Sequence, residues 1–494
     1  MAEKTLKQKT YNGFLWSFTE RFLIQFIQIV LQIVLARILF PSDFGLIGMI
    51  TIFIVVSKLF ADSGLTSALV QKKNRTEEDY STVFYFNFIV CLVSYLLIFI
   101  GAPYISAFYH TPELTLIIRV FFVSVIIDSF TSIQITKLRI ALDFKKKAIT
   151  NLFAVVISGG IGVWMAYSGY GVWSLVLQTI INSLVTLILL TALVRWKPLL
   201  IFSKSSFNQM FGFGSKMLGA MLLDAITDNL YTFMLGRFFS TAKVGFYTKG
   251  LQMPSVIAVA LSSILDNVTY PVMASIQDNK GFLIGVYRRL VRMVSFLIIP
   301  AMFGLAFISE PFVRKFFTEK WMPAVVLMQW VCFSRIFTLV SLLNMSLLNA
   351  TGRSDLFLKI NLIRFPLTIG ILIITIPQGL EAVVIGQFIM SIVSFLISSY
   401  MPGKLFGYGI ITQVKDLLPA IITSTIMLIV IAISTFSINS DLTKIIVSIA
   451  VGSASYLLVN IMFKTEGITE VQSLLIPVYK KLLKNKNYSS KNEE

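Results

Sequence analysis

Apolar residues run along this chain in stretches of roughly twenty, parted by short polar turns, from residue 12 to residue 463. An α-helix rises about 1.5 Å per residue, so each stretch can cross a hydrocarbon core of about 30 Å. About fourteen spans result, near residues 12–38, 44–61, 82–102, 114–133, 148–168, 171–194, 210–236, 244–272, 284–309, 322–347, 356–376, 379–401, 413–435 and 443–463. Gly250 and Pro254 interrupt the eighth, the weakest of the set. The pattern predicts an all-α polytopic membrane protein with short loops on both sides. The longest non-spanning piece is the basic tail 464–494, expected to lie along the cytoplasmic surface. No segment is long enough to fold as a separate soluble catalytic domain.

Polar residues that break the apolar runs carry the functional information. In the first span Ser17, Arg21, Gln25, Gln28 and Gln32 share a sector of about 80° on one helix face. Such a stripe in hydrocarbon would leave polar groups unsatisfied, so it must face protein or a water-filled cavity. The competing reading is interhelical hydrogen bonding that glues the bundle. The seventh span carries Lys216, Asp224 and Asp228, the two aspartates one turn apart. A charge at the bilayer centre costs at least about 2.5–3.5 kcal/mol, so the three imply a polar cavity or pairing with neighbouring helices. Arg119 and Arg335 occupy similar places in the fourth and tenth spans, and Glu20, Asp128, Lys249, Asp266 and Arg364 are also at membrane depth. Lys58 and Asp62, one turn apart, read as a local pair near the headgroups, and Lys249 and Arg364 as cations able to snorkel.

An internal repeat organises these spans at an offset of 200 to 210 residues. Ala36-Arg37-Ile38-Leu39 with Phe44-Gly45-Leu46 matches Gly236-Arg237-Phe238-Phe239 with Val244-Gly245-Phe246. Further on, Gly171-Val172-Trp173-Ser174-Leu175-Val176 matches Gly379-Leu380-Glu381-Ala382-Val383-Val384. Each copy holds six spans, an even number, so the repeat is parallel about an axis along the membrane normal. A binding site is expected between the two halves near the midplane. The organisation reads as an N-terminal lobe at 1–205, a C-terminal lobe at 206–405, two further spans at 406–463 and the tail.

Charge then sets the orientation. With the N-terminus inside, 28 Lys and Arg fall on the inner side and 7 on the outer, the other 7 of the 42 lying within spans. The bias is the positive-inside rule at work, with both termini cytoplasmic. The net charge of +18 is therefore a topology signal and implies no nucleic-acid partner. Lys4, Lys7 and Lys9 precede an apolar run too long for a cleavable signal peptide.

Composition closes off several chemistries. The 494 residues are 56% hydrophobic and 13% charged, too few charges for a soluble protein of this size. Cys91 and Cys332 lie inside apolar runs and read as small buried hydrophobes. With His110 as the single histidine, neither a metal centre nor a histidine-dependent nucleophile is expected. No phosphate-binding Gly-rich loop, metalloprotease motif or large outer loop with paired carboxylates is present. The chain reads as a non-enzyme without a cofactor, and any driving force must come from an ion gradient or from the substrate's fate.

Several short motifs, in order and at fixed spacing over residues 10–360, resemble a known family. They are Ala36-Arg37 with Pro41-Ser42-Asp43-Phe44-Gly45, Asp62-Ser63-Gly64-Leu65 with Ala68-Leu69-Val70-Gln71-Lys72-Lys73, and Phe84-Tyr85-Phe86-Asn87. Gly171 to Val176, Asp228-Asn229 with Gly236-Arg237-Phe238, Tyr270-Pro271-Val272-Met273-Ala274 and Glu319-Lys320-Trp321 complete them. The set resembles the Wzx-type polysaccharide exporters of the multidrug/oligosaccharidyl-lipid/polysaccharide superfamily, in the branch of colanic acid and teichuronic acid exporters. Relatives usually have Leu-Gly-x-Tyr at Val244-Gly245-Phe246-Tyr247 and Phe-Pro at Tyr270-Pro271. The last hundred residues match only as hydrophobic spans.

The resemblance implies two six-helix lobes around a central cavity, alternating between inward-open and outward-open states in a bacterial inner membrane. It implies an undecaprenyl-pyrophosphate-linked oligosaccharide as substrate, a proton or sodium ion and membrane lipid as further partners, and association with other polysaccharide-assembly proteins. Within that frame Arg21, Gln25, Gln28, Gln32, Arg119, Lys216 and Arg335 are the candidate substrate-cavity residues. Asp224 and Asp228 are the candidates for ion coupling or cavity tuning. An ion-coupled drug or metabolite antiporter of the same superfamily shares these features. A membrane-embedded polysaccharide polymerase or ligase would need an outer catalytic loop. The seven Lys and Arg within spans, against Glu20, Asp128, Asp224, Asp228 and Asp266, favour an anionic lipid substrate.

Overall fold

The computed structural model describes residues 22–62, 64–264 and 270–470; for a few helical residues, Asp62 and Lys216 among them, only the backbone is described. Ser17, Glu20, Arg21, Asp266 and the tail beyond residue 470 lie outside the described residues. Helices make up the fold, and no strand occurs among the described residues. The chain divides after Thr248 into two compact units.

The first unit holds α1 (Phe22–Ile38), α2 (Pro41–Asp62), α3 (Leu65–Gln71), α4 (Glu77–Phe108), α5 (Leu114–Phe121), α6 (Val123–Ile140), α7 (Phe144–Tyr167), α8 (Val172–Val194), α9 (Lys204–Phe238) and the start of α10 (Thr241–Ile264). The second holds the rest of α10, then α11 (Tyr270–Ser275), α12 (Lys280–Phe312), α13 (Pro323–Ala350), α14 (Ser354–Thr375), α15 (Leu380–Phe406), α16 (Ile410–Thr435) and α17 (Asp441–Met462). The compact break falls about forty residues after the repeat boundary at 205/206, so α9 packs on α2 and α3 within the first unit. Packing and internal repeat thus divide the chain at different places.

Eleven of the described helices are long and apolar enough to cross a membrane. They expose large apolar side chains such as Leu97, Ile188, Ile373 and Ile433. Faces of that kind are stable against lipid and a liability in water, so the protein is a multi-pass membrane protein. Within the helices, Ser and Thr hydroxyls such as Thr51, Thr179 and Thr338 donate to the carbonyl four residues back, which removes unpaired donors from the apolar interior.

Local chemistry explains the ends nearest the site. Thr76 caps α4 by accepting from Asp79 N–H while the Asp79 carboxylate accepts from Thr76 N–H, a reciprocal box worth about 1 kcal/mol. Asp79, fully buried, also accepts from Lys72 Nζ at 2.7 Å, and that bond holds α3 to α4. Leu65, Leu69, Val83, Phe84, Ile133 and Met210 form the apolar cluster beneath.

In the second unit α12, α13, α15 and α16 enclose a core of Val291, Ile298, Met302, Leu339, Leu343 and Phe395. A hydrogen-bonded chain crosses that core. Tyr287 Oη donates to Asn344 Oδ1 at 2.5 Å, and Gln413 Nε2 donates to the same oxygen at 2.9 Å. Asn344 Nδ2 donates in turn to Gln413 Oε1 and Ser399 Oγ, both at 3.1 Å. A buried amide left alone costs about 1–3 kcal/mol, and here both amides are satisfied by one another.

Candidate functional site

Lys216, Asp224 and Asp228 sit on one of the two long helices too polar to count as apolar spans. With 35 and 24 residues, α9 and α10 are long enough to cross a bilayer yet fall outside the eleven apolar helices. On α9, Asp224 and Asp228 are exposed on one face, one turn apart. The Lys216 backbone lies in the same helix, its side chain outside the described residues. On α1, Gln28 is exposed and Gln25 and Gln32 are half-buried. Leu31 of α1 meets α7 at Gly159, where a Cβ would lie 2.4 Å from Leu31 Cδ1 and the leucine would have to shift.

Two glycine crossings tie α2 to the polar helices within the first unit. At its start, a Cβ on Gly45 would lie 1.8 Å from the Thr241 carbonyl oxygen and 3.1 Å from Gly245 N. Reciprocally, a Cβ on Gly245 would lie 1.8 Å from the Pro41 carbonyl oxygen. Both glycines stand at matching places in the internal repeat, so the contact is symmetric about that repeat. Beyond the other end of α2, Gly64 adopts a φ of 65°, and a Cβ there would lie 2.1 Å from the Gly214 carbonyl oxygen. Main chain touches main chain at both places, which no other residue type permits. In the sequence Gly45 and Gly245 mark the repeat and the family motifs; their contact comes from the fold alone.

Arg237 adds a polar tie near the first crossing. Its Nη1 donates to the Phe108 carbonyl at 2.6 Å and lies 3.1 Å from His110 Nδ1, with the guanidinium over the Phe108 ring at 5.2 Å. This joins the end of α9 to the end of α4.

The remaining intramembrane charges find partners that sequence spacing did not indicate. Lys58 Nζ bonds Asp128 Oδ2 on α6 at 3.0 Å, a pair between helices, while the side chain of Asp62, its expected partner, lies outside the described residues. Arg119 turns onto α4, its Nε 3.4 Å from the Phe99 carbonyl and its guanidinium 4.5 Å from the Phe99 ring centroid. In the second unit Lys249 does not snorkel: it is 3% exposed, donates to Gln252 Oε1 at 3.1 Å and lies over the Phe317 and Trp321 rings. Arg364 donates to Ser394 Oγ at 3.0 Å instead of reaching for the helix end. Arg335 donates from Nη2 to Ser255 Oγ on α10 at 3.0 Å, while its buried Nε has no acceptor among the described residues. A buried guanidinium N–H without an acceptor is costly, and a polar ligand or water reaching it would relieve the cost.

In the first unit, exposed carboxylates on α9 and amides on α1 suit hydroxyl-rich groups and small cations; in the second, the Arg335 donor suits an acceptor oxygen.

A family model described as polysaccharide biosynthesis protein matches residues 34–326, more than half of the chain. Over 473 residues the chain is 24% identical to the teichuronic acid biosynthesis protein TuaB of Bacillus subtilis (strain 168), covering 92% of this chain and 95% of that one. It is also 24% identical over 400 residues to the lipopolysaccharide biosynthesis protein WzxC of Escherichia coli (strain K12), covering 80% and 81%. Among solved structures, the lipid II flippase MurJ in an inward closed conformation matches with a TM-score of 0.70 at 17% identity, over 92% of this chain and 99% of that one. A multidrug resistance MATE family transporter in an inward-facing conformation matches with a TM-score of 0.62 at 17% identity, over 77% and 95%. These two likenesses establish the fold, and the resemblance read from the motifs is borne out. The chain belongs to the polysaccharide biosynthesis protein family.

Proposed function

We propose that this polysaccharide biosynthesis protein carries a lipid-linked oligosaccharide across the bacterial inner membrane by alternating access, without making or breaking bonds. The observation that carries the reading is the exposed pair Asp224 and Asp228 on a helix of membrane-spanning length. Exposed carboxylates at that depth make a polar face that suits water or a polar cargo better than lipid. The relatives' names, teichuronic acid and lipopolysaccharide biosynthesis proteins, and the lipid II flippase among the fold neighbours support a glycan on a polyprenyl pyrophosphate as that cargo.

On this reading α1, α9 and α10 join the eleven apolar helices as spans, and both termini are cytoplasmic. The Gly45–Gly245 crossing then lies at the outer end of α2 and the Gly64–Gly214 crossing at the inner end. With both in place α2 is held at each end, and release of one or the other opens the cavity to one side. Pyrophosphate carries at least two charges, and Arg21, Lys216, Arg119 and Arg335 are the cations assigned to replace part of its lost hydration. Asp224 and Asp228 respond to a proton or sodium ion. The likeness to a multidrug transporter supports the second reading, an ion-coupled antiporter of a small molecule.

Export of surface polysaccharide in cells lacking their own exporter tests both. Arg21→Ala and Lys216→Ala are expected to abolish export at normal protein levels, and Arg21→Lys and Lys216→Arg to restore part of it, because charge matters more than fork geometry for a mobile headgroup. Asp224→Asn and Asp228→Asn should alter the dependence on the ion gradient. Normal export by the alanine variants would remove these cations from the site. Drug efflux without any effect on polysaccharide would favour the antiporter.

A further inference from the structure

In the second unit a cavity of about 230 Å³ opens between α12, α16 and the turn after α17. Its charged lining is Arg288 and Arg292 from α12, Lys415 and Asp416 from α16, and Glu466 beyond α17. Asp416 organises the two arginines. It accepts from Arg288 Nε at 2.7 Å and Nη2 at 2.9 Å, and from Arg292 Nε at 3.1 Å and Nη2 at 3.0 Å. Tyr408 Oη donates to the same carboxylate at 2.7 Å.

Each guanidinium has five N–H donors, so Asp416 leaves donors on both for a further acceptor. Glu466, 66% exposed, also pairs with Arg292. Lys415 is exposed and has no carboxylate partner among the described residues. Three cations against two carboxylates leave the cavity with one net positive charge and preset guanidinium forks, the chemistry that recognises a phosphate oxygen.

Its position favours a lipid phosphate over a free one. Arg288, Arg292, Lys415 and Glu466 belong to the sequence segments 273–292, 402–415 and 464–494, which are among those that carry the positive-inside excess. Within about two turns of the cavity α12 and α16 expose Leu297, Leu418 and Ile422, apolar side chains that suit acyl chains. Basic pockets between spans on the cytoplasmic side are the usual seat of anionic headgroups.

We propose that this cavity binds the phosphate of an anionic phospholipid of the inner leaflet, with Arg288, Arg292 and Lys415 as its ligands and Glu466 as the competing carboxylate. The inference rests on the membrane orientation proposed above and is independent of the transported cargo. Binding is measured on the full-length protein in detergent, titrated with phosphatidylglycerol, phosphatidylcholine, inorganic phosphate or undecaprenyl phosphate, with retention read by native mass spectrometry and protection by the melting temperature. Phosphatidylglycerol should be retained and protective. Lys415→Ala should weaken it about fivefold, Glu466→Gln should strengthen it, and Lys444→Ala, outside the cavity lining, should leave it unchanged. The proposal falls if Lys415→Ala and Glu466→Gln both bind as the parent does, or if phosphatidylcholine is retained equally. It falls as well if protection comes from inorganic phosphate or undecaprenyl phosphate and not from phosphatidylglycerol.

Discussion

Two regions join helices by opposite means. In the first unit α2 meets the start of α10 through Gly45 and Gly245, backbone against backbone with no room for a Cβ. In the second, α12 meets α16 through Arg288, Arg292, Asp416 and Tyr408, linked by ion pairs and hydrogen bonds. The glycine contact gains only dispersion, which is individually small and lost within a fraction of an ångström. Separating it exposes peptide surface that a water-filled cavity can hydrate. Separating the arginines from Asp416 would strand its carboxylate, whose side chain is only 5% exposed. On the proposed function the first kind of joint is the one that opens, and the second holds α16 in place.

The largest effect is expected from cutting the ionic joint. Asp416→Ala leaves two guanidiniums facing each other and should cost about 3 kcal/mol, at the low end for a buried pair because Arg288 is partly exposed. Protein accumulation and the detergent melting temperature should both fall sharply. An unchanged melting temperature would make the two joints alike.

Next comes the glycine joint, whose loss should be read in conformation more than in stability. Gly245→Leu overpacks the crossing by about 1–3 kcal/mol, enough to shift a two-state population by about 5- to 150-fold. Cysteines placed at 25, 28 and 32 should then react faster with a hydrophilic thiol reagent added outside, while export drops. Gly214→Leu should act oppositely and increase labelling from the inside. The same direction for both variants would deny the crossings separate roles.

Smaller changes sharpen the contrast. Asn344→Ala, within the core network, should cost about 1 kcal/mol, since hydrogen bonds inside membrane bundles average about 0.6 kcal/mol and this amide makes several. Lys58→Ala should cost less than about 1 kcal/mol, because the lysine side chain is 45% exposed and its pair with Asp128 is screened. Melting curves on the purified variants measure both. A Lys58 effect equal to that of Asp416 would mean that exposure does not govern these pairs.

Helix positions were legible in the sequence because the signal is local. A run of apolar residues as long as the bilayer is thick must form a helix whatever surrounds it, and α4, α8, α13 and α16 lie within a few residues of the expected spans. The motif repeat at an offset of 200 residues and the spacing of the two aspartates of α9 are likewise patterns of the sequence itself. The choice of partner was not legible. Lys58 is one turn from Asp62 yet pairs with Asp128, and Arg288 pairs with a carboxylate 128 residues away. Spacing along a helix ranks neighbours on that helix only, whereas a charge in a membrane protein takes the best hydrated or paired place that packing offers. Lys249 is buried beside Phe317 and Trp321 for that reason, although its place near a helix end suggested snorkelling. Gly45 and Gly245 announced a repeat in the sequence, but only the crossing of their two helices made them a contact, because the lack of a side chain matters solely where another backbone comes close enough to use it.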